Sequence, residues 1–184
     1  MRIGIISDTH TPSTGKEPPP QVAQVFRGVD LILHAGDIYT RSCLDWLERI
    51  APVLAVEHRG PYYQGDPRVA EKQVVELEGF SLGLIHEMAL PGLVGEVFPG
   101  AIAAGFPLEK SVPEAFHQIF GKTVNIVVFG HTHYALVEEH QGVLVINPGS
   151  ATLPKHVRKL GTVAILELTG NGPRTQLVNL ADIW

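Results

Sequence analysis

The sequence has a single cysteine, no run of basic residues and no long hydrophobic segment. Cys43 can form neither an internal disulfide nor a thiolate metal cluster, and we expect a half-buried small side chain there. A net charge of −5 argues against nucleic-acid binding. No apolar run approaches the roughly 20 residues of a membrane span, and the first residues turn polar too soon for a signal peptide. We therefore expect a cytoplasmic protein with neither a membrane nor a nucleic-acid partner.

What remains is a globular composition with an excess of histidine. The chain is 45% hydrophobic and 18% charged, and a domain of this length buries about 70% of its unfolded surface. We predict one domain over residues 1–184. Nine histidines stand against fourteen Lys plus Arg residues, a high proportion that requires an explanation.

Short apolar runs alternate with helical patterns in the first third of the chain. Strands are predicted at 3–6, 31–33 and 53–56, and helices at 21–27 and 41–50. This βαβαβ order predicts a parallel sheet with right-handed crossovers.

Strands dominate the later part of the chain. Two strands joined at Glu78-Gly79 precede another in "NIVVFG", and hairpins are predicted to turn at Gln141-Gly142 and around 170–173. A helix is predicted in "SVPEAFHQIF". Such a chain can bury its strands as two sheets packed face to face, with helices outside. The Gly- and Pro-rich residues 87–110, here called the cap segment, read either as a packed connection with one short helix or as a mobile cap over a site.

Carboxylates and imidazoles follow five of the predicted strands. Because ligands gather at the carboxyl ends of strands in α/β sheets, we expect these side chains to converge. Singly, each has an ordinary explanation; Asp37, for example, could be a helix N-cap. Repetition at successive strand ends favours a shared site. In chain order the residues are Asp8, His10, Asp37, His58, His86, His131 and His133.

The ligand types indicate the chemistry. Aspartates and neutral imidazoles without a thiolate suit Mn²⁺, Fe²⁺, Ni²⁺ or Zn²⁺. The set is too large for one tetrahedral ion, and two ions about 3.5–4 Å apart would use it and activate a water for attack on phosphorus. Burying so many polar groups without a metal would be unfavourable.

Four motifs carry a family resemblance. The stretches "SDTH", "HAGD", "GHTH" and "INPGS" resemble those of the calcineurin-like metallophosphoesterase superfamily, and in particular its small YfcE/Vps29-like phosphodiesterase group. The resemblance implies a four-layer α/β/β/α sandwich of two mixed sheets flanked by helices, and a dinuclear metal centre. It also implies the ligand sets: Asp8, His10 and His133 for the first ion, Asp37 bridging, and His86 and His131 for the second.

The third strand departs from the family pattern. Where the family has Gly-Asn, with the asparagine ligating the second metal, this chain has His58-Arg59. Arginine has only donors and cannot ligate a metal. Either His58 replaces the asparagine, which we favour because neutral imidazole is the commonest metal ligand, or Arg59 binds substrate phosphate and the second site is weakened. Glu87 adds either a carboxylate near that site or an ordinary surface charge.

The resemblance implies a metal-dependent phosphodiesterase or phosphatase in which a metal-bound hydroxide attacks a small phosphorylated substrate. Manganese is the expected metal, Asp37, His131 and Arg59 are the expected catalytic residues, and His34 is a further candidate for charge stabilisation. Since no histidine is evidently placed to protonate a leaving group, diesters are favoured. The alternative is a catalytically weakened, Vps29-like protein-interaction scaffold. A nuclease is disfavoured because a basic patch is missing.

Overall fold

The computed structural model describes residues 1–57 and 65–184. The strands of the described residues are β1 (Arg2–Ile6), β2 (Leu31–His34), β3 (Val53–Val56), β4 (Val69–Ala70), β5 (Lys72–Leu77), β6 (Phe80–Ile85), β7 (Ile126–Val128), β8 (Leu136–His140), β9 (Val143–Asn147), β10 (Thr162–Thr169) and β11 (Gly172–Asn179). The helices are α1 (Pro20–Val25), α2 (Arg41–Glu48), α3 (Ala101–Gly105) and α4 (Val112–Phe120), with 3₁₀ turns at Pro154–His156 and Leu180–Asp182.

Two mixed sheets contain all of these strands. The first sheet has the order β11-β10-β1-β2-β3-β4, and the second has the order β5-β6-β7-β9-β8. In the first sheet β1 to β4 run parallel while β10 pairs antiparallel with β1. In the second sheet β6, β7 and β9 are parallel, flanked by the antiparallel strands β5 and β8. The parallel strands are central in the second sheet, and in the first sheet they follow one another from β1 to the edge strand β4. The loops at the carboxyl ends of these strands carry the residues of the site described below.

Three apolar cores separate four layers. Between the sheets, residues such as Ile3 and Ile5 of β1 pack against Leu84 of β6. The outer face of the first sheet is covered by α1 and α2, and the outer face of the second by α3 and α4. The predicted α/β/β/α sandwich of two mixed sheets flanked by helices is confirmed.

Local sequence explains most element boundaries. Pro20 occupies the first turn of α1, where its missing N–H is not needed. The Ser111 side chain caps α4 by accepting a hydrogen bond from the Glu114 backbone N–H at 3.3 Å. The predicted turns at Glu78-Gly79 and Gln141-Gly142 join β5 to β6 and β8 to β9. Asp37 is not a helix N-cap, since Thr40 holds that position before α2.

The cap segment is a packed connection in this structure. It contains α3, and apolar side chains along it, including Leu90, Val97, Ile102 and Phe106, are buried in the core of the second sheet. The expected short helix is therefore present, while movement of the segment stays a prediction. None of the helices among the described residues has the length and apolar character needed to cross a membrane.

We predict that Gly4→Ala destabilises the fold. A Cβ at Gly4 would lie 2.9 Å from Cγ and Cδ1 of the fully buried Phe26 ring. Overpacking of this kind costs about 1–3 kcal/mol of unfolding free energy. Urea denaturation followed by circular dichroism measures it. Gly170→Ala is the matched control, because a Cβ there meets nothing within 4 Å; equal midpoints for the two variants would contradict the prediction.

Candidate metal centre

Four of the predicted ligands form one cluster where the two sheets meet. Asp8, His10, Asp37 and His133 each offer a ligand atom, and these atoms all lie within 4.8 Å of one another. Asp8 and His10 follow β1 and Asp37 follows β2, both in the first sheet, whereas His133 follows β7 in the second sheet. This set is called the four-residue cluster below.

The atoms that face the centre of the cluster are metal-ligand types. The His133 Nε2 lies 3.3 Å from Asp8 Oδ1 and 3.2 Å from His10 Nε2. The His10 Nε2 also lies 3.5 Å from Asp37 Oδ2. Nitrogen and carboxylate oxygen thus converge from both sheets on one point.

Asp37 faces two groups of imidazoles. While its Oδ2 lies beside His10, its Oδ1 is 3.6 Å from the Nε2 of His86, which follows β6. The His86 ring in turn packs edge-on against His131, with ring centroids 5.3 Å apart. One carboxylate therefore stands between His10 on one side and His86 on the other, as a bridging ligand must.

Backbone carbonyls fix the orientation of two rings. The His86 Nδ1 lies 2.7 Å from the Ala35 carbonyl oxygen, and the His133 Nδ1 lies 2.8 Å from that of Leu153. A carbonyl only accepts, so Nδ1 carries the proton in both rings. The Nε2 lone pairs of the neutral rings are then directed into the site, an arrangement typical of metal-binding histidines.

The arrangement of acceptors fits a cation. Asp8 Oδ2 accepts a hydrogen bond from the His131 backbone N–H at 3.1 Å, but the buried Asp8 Oδ1 has no hydrogen-bond partner among the described residues. With Nδ1 of His133 engaged by Leu153, a neutral His133 presents a second acceptor to that oxygen. Buried acceptors that face each other require a positive charge between them. A divalent ion with nitrogen and oxygen ligands meets this requirement.

The pKa shifts reflect the same need for positive charge. Burial raises the pKa of Asp8, but contact with His133 and the charge of His86 outweigh it and hold this pKa below its usual range. Burial lowers the pKa of His133, but the contact with Asp8, the Leu153 carbonyl and the charge of Asp37 together outweigh it and raise this pKa above its ordinary value. Burial lowers the pKa of His10, which favours the neutral, ligating imidazole.

Backbone conformation aims these side chains. Left-handed φ values are uncommon for residues other than glycine, and they concentrate at functional sites. Here they occur at five of the predicted ligands, which are Asp8 (52°), His10 (49°), Asp37 (52°), His131 (68°) and His133 (62°). All five residues lie in the segments that follow β1, β2 and β7.

Two glycines make room for the ligands. A Cβ on Gly36, whose φ is +100°, would overlap the His86 ring. A Cβ on Gly130 would overlap Ser7 Oγ and lie 2.8 Å from Asp8 Oδ2. The glycines of "HAGD" and "GHTH" are thus required by close approach between motif loops.

The "INPGS" motif holds the motif loops together. Asn147 Nδ2 donates to the Gly130 carbonyl oxygen at 2.8 Å and to Thr132 Oγ1 at 3.2 Å. Ser150 Oγ donates to the Asp8 carbonyl oxygen at 2.7 Å. These buried contacts connect the loop after β1 with the loop after β7, so this motif positions ligands of both sheets.

Two predicted residues lie outside the described part of the chain, and one was misjudged. His58 and Arg59 fall within residues 58–64, so the replacement of the asparagine ligand stays a prediction. His34 is wrong as a group for charge stabilisation. It is fully buried, it accepts from the Gly36 N–H at Nδ1, and its Nε2 contacts Thr9 Oγ1. Burial lowers the pKa of His34 to about 3, which keeps it neutral and structural.

Sequence reasoning missed several neighbours of the site. Glu96 of the cap segment places Oε1 3.3 Å from His131 Nε2. The His156 ring stacks on His133 at 4.5 Å, and the Tyr39 ring packs edge-on against His10. The buried Glu57 accepts from the Ile38 N–H at 3.1 Å and shapes the loop after Asp37. Only the sequence adjacency of Tyr39 and Ile38 to Asp37 could have indicated any of these.

Cys43 is fully rather than half buried, and it is inert. Its Sγ lies 3.5 Å from Thr9 Oγ1, and burial raises the pKa of the thiol to about 11. Because the thiolate is the ligating form, Cys43 does not contribute to the site.

The four-residue cluster is a candidate metal-binding site, and comparison with known proteins shows the family to which the chain belongs. The model of the calcineurin-like phosphoesterase superfamily domain matches residues 1–171, and the chain belongs to this family. It is 34% identical over 157 residues to a probable metallophosphoesterase of Methanothermobacter thermautotrophicus, covering 84% of this chain and 80% of that one.

Solved structures share the fold at lower identity. Vps29 from Entamoeba histolytica, complexed with Zn²⁺, has a TM-score of 0.65 at 20% identity and covers 98% of this chain and 99% of its own. A structure described as a novel archaeal phosphodiesterase has a TM-score of 0.59 at 21% identity and covers 97% and 100%. The fold thus occurs in proteins with quite different descriptions.

We predict that Asp8→Asn weakens Mn²⁺ binding by more than about tenfold, because it removes the buried anionic ligand while preserving the acceptor for the His131 N–H. Isothermal titration calorimetry measures the affinity. Thermal unfolding gives a second measure, since metal at 100 times Kd stabilises the wild type by about 2.7 kcal/mol.

The control for this prediction is Asp182→Asn, an exposed aspartate remote in sequence from the cluster. It should bind Mn²⁺ as the wild type does. Equal metal-induced stabilisation of Asp8→Asn and the wild type would show that the four-residue cluster is not the binding site.

Proposed function

We propose that this protein is a phosphodiesterase that works with two divalent metal ions. The observation that carries the proposal is the placement of Asp37, whose Oδ2 faces His10 and whose Oδ1 faces His86. A carboxylate with one oxygen on each side is suited to bridge two ions. The first ion would be held by Asp8, His10 and His133, and the second by His86 and His131.

When bound, two ions about 3.5–4 Å apart would neutralise phosphoryl charge and supply a water-derived nucleophile at neutral pH. The side chains of this chain determine where that chemistry takes place. His86 and His133 are held by the carbonyls of Ala35 and Leu153, so their Nε2 atoms are preorganised. Ligands that need little reorganisation keep the ions in fixed positions relative to a bound substrate.

The positions of the imidazole protons in the site support a diester substrate. The Nδ1 protons of His86 and His133 are donated to backbone carbonyls, and their Nε2 atoms face the cluster. Neither ring is therefore placed to protonate a leaving group. Diesters and activated monoesters with good leaving groups depend least on such an acid. The similarity in fold to an archaeal phosphodiesterase supports the same choice.

The remaining expectations belong to this proposal. They are manganese as the metal, a small phosphorylated substrate, a cytoplasmic location, one domain over residues 1–184, and Arg59 as a substrate-binding candidate. The cap segment borders the site through Glu87 and Glu96, which line a cleft beside His131. Movement of this segment over a substrate is part of the proposal.

The alternative is a protein-interaction scaffold like Vps29. The shared fold and the arginine at the asparagine position favour it. Metal binding alone does not separate the two functions, because the E. histolytica Vps29 structure contains Zn²⁺. Left-handed φ values at five predicted ligands, with backbone strain of about 1–3 kcal/mol each, support a retained metal site. Turnover is the property that separates the two functions.

Asp37→Asn tests the proposed bridge. We expect the Mn²⁺-loaded wild type to contain about two ions per chain by elemental analysis, the number in a two-metal site, and to hydrolyse bis-p-nitrophenyl phosphate. The variant should lose most of this activity and hold fewer ions, because an amide presents only one ligating oxygen.

Asp182→Asn is again the control, and it should retain both metal content and turnover. Full activity of Asp37→Asn would contradict the bridging role. A wild-type protein that takes up metal without turnover towards diesters or monoesters would instead favour the scaffold.

A further inference from the structure

His131 differs from His86 and His133 in what holds its ring. His86 and His133 each donate the Nδ1 proton to a backbone carbonyl. The Nε2 of His131 instead lies 3.3 Å from a side-chain oxygen, Glu96 Oε1. Its backbone is fixed separately by the hydrogen bond to Asp8 Oδ2. The side-chain neighbours of this ring are therefore the Glu96 carboxylate and the His86 ring, which packs edge-on against it.

Glu96 is held at the rim of the site by its own neighbours. Val97, the next residue, is buried in the core of the second sheet, and the Phe98 N–H donates to the Glu96 carbonyl oxygen at 3.2 Å. The Glu96 side chain is 51% exposed and that of His131 is 30% exposed. Both side chains line a cleft of about 200 Å³, together with Glu87 and Thr132.

We propose that Glu96 is a positioning residue that accepts the Nε2 proton of His131 and thereby leaves Nδ1 as the nitrogen that ligates the second ion. An imidazole carries one proton in its neutral form, so a carboxylate at one nitrogen determines that the lone pair is on the other. Carboxylates serve this purpose beside many metal-binding histidines. The ligating role of His131 rests on the proposed function, while the tautomer does not.

A second arrangement fits the same distance. Two ligands of one ion also lie about 3 Å apart, so Glu96 and His131 Nε2 could bind the second ion together. The four-residue cluster includes neither side chain, and Glu96 is more exposed than any of its members. This greater exposure favours a role for Glu96 beside the ligands of the second ion rather than among them. The two arrangements differ in which nitrogen of His131 carries a proton.

Two-bond ¹H–¹⁵N correlation spectra of histidine-labelled protein distinguish them. Zinc is the probe because it is diamagnetic, and His131→Gln assigns the signals. We expect a protonated Nε2 and a zinc-bound Nδ1 for His131 in the wild type. Glu96→Ala should lose this tautomer preference and bind the second zinc about tenfold or more weakly. Glu96→Gln, which keeps an acceptor oxygen, should recover part of both.

Glu109→Ala is the matched control, an exposed glutamate of the same cap segment, and it should change neither quantity. A zinc-bound Nε2, or a Glu96→Ala protein with the wild-type tautomer and affinity, would overturn the proposal. The metal-free protein, measured where His131 is neutral, reports the tautomer without any ion. Failure to bind a second ion would thus contradict the proposed function without concealing this result.

Discussion

The whole site depends on buried hydrogen-bond acceptors, Asp8 Oδ1 and His133 Nε2, that face each other where the two sheets meet. Within residues 1–57 and 65–184, Asp8 Oδ1 is buried without a hydrogen bond, and the Nδ1 proton of the neighbouring His133 is donated to the Leu153 carbonyl. A fold usually avoids such a group, because it is costly to bury. Here Gly36 and Gly130, together with the buried hydrogen bonds of Asn147 and Ser150, preserve the position of this group. Such support maintains the affinity of a protein for an ion.

The support for this arrangement comes from residues outside the four-residue cluster. Asn147 and Ser150 connect the loops that follow β1 and β7, and Gly36 and Gly130 permit their close approach. The carbonyls of Ala35 and Leu153 set the tautomers. The geometry of the cluster thus depends on many residues besides its four members.

Sequence reasoning predicted the fold and the cluster for local reasons. Strand periodicity and turn residues located β1 to β3 and the hairpins, and the end of a strand is a position that sequence can identify. His34 was misjudged because its direction is set by hydrogen bonds to Thr9 and Gly36 that no pattern encodes. Glu96 and His156 were missed because they approach the site through irregular segments, whose paths depend on tertiary packing.

The origin of the ligands in both sheets has a mechanical consequence. Asp8 and Asp37 follow strands of the first sheet, while His86 and His133 follow strands of the second, and the apolar core between the sheets, which includes Ile5 and Leu84, helps to set the spacing between them. Any sliding of one sheet over the other changes the coordination distances. The side-chain volumes of the apolar core between the sheets therefore contribute to the distances between the ligand atoms of the four-residue cluster.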